Sequence, residues 1–76
     1  MPKEPKNSEA LYVLSHLRRK EPGFLEEVAR YIFRADSHSQ AITEAQYKIT
    51  QTFDAASDYV PLWHGVDLIW ECGTPA

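Results

Sequence analysis

The stretch SHSQAITEAQYKITQTFDAASDYV, residues 37–60, decides how the fold is read. Within it Ile42, Ala45, Ile49, Phe53, Ala56 and Val60 recur at steps of three and four, which lays one apolar stripe along a helix. Ser37 and Gln40 stand at the spacing of a capping box, where the serine hydroxyl and the glutamine side chain each satisfy an otherwise free amide. Read this way, the helix runs about twenty residues to Asp58 or Tyr59, ~30 Å at 1.5 Å per residue, and Pro61 ends it.

Upstream, Leu11, Leu14 and Leu17, with Ala10 and Val13 beside them, predict a first helix that starts at Asn7 or Ser8 and closes with Arg18, Arg19 and Lys20. Glu21, Pro22 and Gly23 interrupt the pattern. Leu25, Val28 and Ile32, with Phe24, Tyr31 and Ala35, then form a second amphipathic set, so the two segments read as an αα-hairpin. Downstream, Leu62, Trp63, Val66, Ile69 and Trp70 repeat as a short fourth helix closed by Gly73. Val66, Leu68 and Trp70 also alternate as a strand would, but a lone strand has no partner in a helical chain.

The expected fold is therefore all-α: a small helical bundle of an αα-hairpin, one long central helix and a short C-terminal helix. Ile42, Ile49 and Phe53 are expected to pack against Leu14, Leu17, Leu25, Val28 and Ile32. Residues 1–7, with two prolines, two lysines and no apolar side chain beyond Met1, read as a disordered tail; residues 8–73 form the single domain; residues 74–76 read as a frayed end.

A 76-residue chain buries only roughly 60% of the surface its unfolded form exposes, so its core is small. Its 43% hydrophobic content still calls for a packed core and excludes a disordered chain. With a single cysteine, Cys72, no internal disulfide forms, and no run approaches the ~18 apolar residues of a membrane span. A cytoplasmic protein is expected, with no membrane partner. Residues 1–35 carry a net charge of +2 and residues 36–76 a net charge of −5. That acidic half repels phosphate backbones and suits a basic protein surface.

Metal and catalytic chemistry find no pattern. His16, His38, His64 and Cys72 lie on four separate segments without ligand spacing, so neither metal nor cofactor is expected. Cys72 has an acid and a tryptophan beside it and nothing to form a thiolate. Glu26 and Glu27 point ~100° apart on a helix and cannot share a substrate atom, so no enzyme and no small-molecule substrate is expected. A helix-turn-helix reading of the hairpin, with Arg18, Arg19 and Lys20 on nucleic acid, is the alternative. It places Phe24, Glu26 and Glu27 where base edges would be met, which a polyanion disfavours.

Nine aromatic residues exceed what one small core accommodates. Tyr31, Ile32 and Phe33 in succession face three directions on a helix, and Tyr59, Trp63, His64 and Trp70 crowd a short terminal stretch. Phe33, Tyr59, Trp63, His64 and Trp70 are thus the candidate protein-binding residues. The expected function is a small non-enzymatic regulatory or adaptor protein that works by protein–protein contact, with another protein or as a homodimer.

Overall fold

A computed structural model describes residues 10–75. The expected tail of residues 1–7, the helix start at Asn7 or Ser8, and Ala76 of the expected frayed end lie outside the described residues. The chain order is β1 (Ala10–Glu21), β2 (Phe24–Ala35), α1 (His38–Ile49), β3 (Asp58–His64) and β4 (Asp67–Gly73). The four strands form one antiparallel sheet in the order β2-β1-β3-β4. No helix among the described residues is long and apolar enough to cross a membrane.

The all-α bundle is thus overturned, and two turns explain how. Pro22 fixes the first central position of a tight turn and Gly23 takes φ +78° at the second, the conformation of a type II turn. This joins β1 to β2 as a β-hairpin, where an αα-hairpin was expected, so the hairpin does not have helix-turn-helix geometry. Gly65 at φ +65°, followed by Val66, closes β3 onto β4. The strand-like alternation in residues 66–70 therefore does have a partner: Leu62 faces Trp70, and Trp63 faces Leu68. The expected fourth helix over residues 62–72 is two strands.

Pro61 lies inside β3, between two neighbouring strands, and it ends no helix. The β1–β3 ladder runs Val13–Trp63 and Leu14–Leu62, then resumes only at Leu17–Tyr59. Pro61 has no amide hydrogen to donate and sits in that gap, which is how a central strand tolerates it.

Only the first half of residues 37–60 is helical. Ser37 is the N-cap in extended conformation and accepts from the Gln40 amide at 3.1 Å, while the Gln40 side chain accepts from the Asp36 amide at 2.6 Å. The helix stops at Ile49, and residues 50–57 form a looping connection into β3. Ala41, Ala45 and Ile49 bury one face of α1 against Tyr12, Leu14, Ala35, Val60 and Leu62 of the sheet. The two alanines present little bulk at this contact. Of the expected core, Leu14 and Ile49 are buried and Ile42 and Phe53 partly so, but Ile32 is 61% exposed and Val28 44% exposed. Ile32 points away from the helix, and Val28 is the extra residue where the β1–β2 register shifts between His16 and Leu17.

Candidate contact surface

Strand geometry sorts the sheet into two faces, because successive side chains point to opposite sides. Tyr12, Leu14 and His16 of β1 point toward α1, as do Phe33 and Tyr31 opposite them and Asp58, Val60, Leu62 and His64 on β3. The intervening residues face the other way, where no element covers them. They form cross-strand rows: Leu68, Trp63, Val13 and Ile32 make one, and Glu71, Pro61, Ser15 and Arg30 the next. Tyr59, Leu17 and Glu27 make a third, and Leu11 with Arg34 lies at the opposite end.

This open face has an apolar middle and charged borders. Leu11 is 49% exposed and Leu68 42% exposed, while Val13, Leu17, Tyr59 and Trp63 are half-buried by their neighbours alone and lie outside the buried cluster. Arg30 and Arg34 stand on the β2 border, where Arg30 Nε donates to Glu27 at 3.0 Å. Glu71 stands on the β4 border and accepts from the Tyr59 hydroxyl. That hydrogen bond, with partial burial, pushes the Tyr59 phenol up to about 12, so it stays a neutral donor.

The five candidate residues fall on both faces. Tyr59 and Trp63 belong to the open face. Phe33 packs on the helix side, its ring stacked on Tyr12 at 6.1 Å, and His64 stacks on the same tyrosine at 4.9 Å. Trp70 lies on the helix side of β4, where it lines a groove of about 330 Å³ with Ile49, Phe53 and Cys72. Read as helix faces, the sequence hid Leu11, Val13, Leu17, Ile32 and Leu68. The available signal was that both alternating sets of β1, Leu11-Val13-Leu17 and Tyr12-Leu14-His16, are rich in apolar residues.

No family model matches the chain, and neither curated proteins nor solved structures match it.

A second arrangement went unread in the sequence because its members lie some forty residues apart. Asp58, 1% exposed, receives Arg18 Nε at 2.8 Å and Nη2 at 2.9 Å, and it accepts from His16 Nε2 at 2.6 Å. The Asp54 amide and the Ser57 hydroxyl complete the set at 2.9 and 3.2 Å. The Arg18 fork, foremost, holds the Asp58 carboxyl far below its ordinary range; burial opposes this and the His16 bond adds to it. Arg18 also donates to the Thr52 carbonyl at 3.1 Å and Arg19 to the Ala56 carbonyl at 3.1 Å, so the cluster straps residues 50–57 to β1. His16 is itself 1% exposed and cannot meet a substrate. Of the basic run, Arg18 and Arg19 are engaged in this strap and Lys20 pairs with Glu26 at 3.3 Å. Among the described residues no three of His, Cys, Asp and Glu gather as a metal site would require.

Proposed function

We propose that the protein is a non-enzymatic contact module whose working surface is the open face of its sheet. One observation carries this: α1 covers one side of the sheet, and the other side repeats apolar residues where an antiparallel sheet facing water alternates to polar ones. An apolar centre rimmed by charge is the anatomy of a protein interface. Trp63 and, two rows along the same strand, Tyr59 supply the side chains that most often dominate such contacts.

The test compares affinity capture by the wild type, by Ile32→Glu on the open face, and by Tyr47→Glu on the exposed helix surface, where Tyr47 is 79% exposed. Both substitutions sit at exposed positions, and circular dichroism is expected to show both variants folded. The wild type and Tyr47→Glu are expected to retain the same proteins, this chain included, and Ile32→Glu to lose them. Equal retention by all three refutes the reading.

A further inference from the structure

Resting on that reading, we infer that the open face is occupied by a second copy of this chain, packed sheet on sheet about a two-fold axis that runs parallel to the strands between β1 and β3. The strand order places β2 and β4 at opposite borders, and the charges differ: Arg30 and Arg34, with Glu27 beside Arg30, on β2, and Glu71 on β4. An axis parallel to the strands lays β2 of one copy over β4 of the other and β1 over β3, with the rows kept level. Arg30 then meets the other copy's Glu71 twice, once on each side. In the next row Leu68 covers Ile32 and Trp63 covers Val13, a wholly apolar belt across the axis.

The other face-to-face choice, an axis perpendicular to the strands, stacks β2 on β2 and β4 on β4, so Arg30 of one copy cannot meet Glu71 of the other at any register. Charge complementarity therefore selects both the partner and the axis. Four strands ~4.8 Å apart and the three rows that span them, ~6.7 Å apart, give a footprint of about 400 Å² per copy, hence about 800 Å² for the pair, the small end of specific interfaces. The described molecule is also thin, 52 × 21 × 16 Å, so packing against itself is the direct way for it to gain a second core layer.

Sedimentation velocity of the full chain, with and without charge exchange, tests the arrangement. The wild type is expected to sediment as a dimer, at twice its 8.7 kDa mass. Arg30→Glu alone sets Glu against Glu71 and Glu71→Arg alone sets Arg against Arg30, so each is expected to weaken self-association at least tenfold. An equimolar mixture of the two variants restores both attractive pairs and is expected to return the dimer. Circular dichroism confirms that each variant is folded. A wild type that stays monomeric to 0.5 mM overturns self-association. If Ile32→Glu still loses captured proteins in that case, the contact reading stands with another protein as occupant. A dimer that survives either single exchange, or a mixture that fails to restore it, overturns the proposed axis.

Discussion

Asp58→Asn is the sharpest test of what holds the connection between helix and sheet. The carboxylate accepts five hydrogen bonds from four groups, two of them from the Arg18 guanidinium. An asparagine amide keeps one acceptor oxygen but turns NH₂ toward donors, leaving His16 or the Asp54 amide unmatched in a buried place. Removing one member of a buried, hydrogen-bonded charge pair costs about 3–5 kcal/mol. The Arg18 side chain is 39% exposed and regains water, so the lower figure of ~3 kcal/mol applies. A chain of this length has a total stability of about 4–11 kcal/mol. With a urea slope of about 1 kcal/mol per molar, the midpoint falls by roughly 3 M or the protein is unfolded from the start. The measurement is urea denaturation followed by tryptophan fluorescence at one fixed protein concentration. The effect also has a pH signature. Asp58 is held below its ordinary 3.8, so its contribution is complete above that value and is lost as pH falls from there toward the folded pKa. The wild type therefore loses stability below about pH 4, and the variant loses less of it. A midpoint shift under about 0.5 M, or identical acid dependence of the two proteins, refutes the strap.

Three further outcomes check the fold. Gly73→Ala should be far more harmful than Gly23→Ala, because a Cβ on Gly73 overlaps the Asp58 carbonyl oxygen whereas Gly23 meets open space. The latter carries only the ~1–2 kcal/mol strain of a positive φ, and thermal melts of the pair rank them. Ile49→Ala empties a buried site between helix and sheet and is expected to cost about 2–5 kcal/mol in chemical denaturation; an unchanged midpoint would remove α1 from the core. Ser37→Ala should destabilise by ~1 kcal/mol and Ser39→Ala by much less, since only Ser37 accepts from an orphan helix amide; equal melting temperatures would misplace the cap.

What the sequence determined by itself lies in local signals. The cap at Ser37 and the first part of the stripe, Ile42, Ala45 and Ile49, place α1, because a helix start is set by residues within one turn; the buried face carries Ala41, which the stripe omitted, ahead of Ile42. The surplus of aromatics over what a small core can hold is also legible, and the open face with Tyr59 and Trp63 is where part of that surplus stands. Pro22-Gly23 and Gly65 carried the two hairpins, although their strands imitate helices. β1 is paired on both sides and apolar on both faces, so Leu11, Leu14 and Leu17 satisfy a period of three as readily as Tyr12, Leu14 and His16 satisfy a period of two. Local periodicity cannot separate those cases. Only the tertiary structure does, because the amides of β1 are satisfied by β2 and β3, segments far along the chain. Residues 50–60 follow the same rule. The stripe through Phe53, Ala56 and Val60 would continue the helix, but Asp58 gains Arg18 and His16 only if the chain leaves the helix at Ile49 and turns back to β1. That long-range buried charge cluster outweighs a few tenths of a kcal/mol per residue of helix propensity.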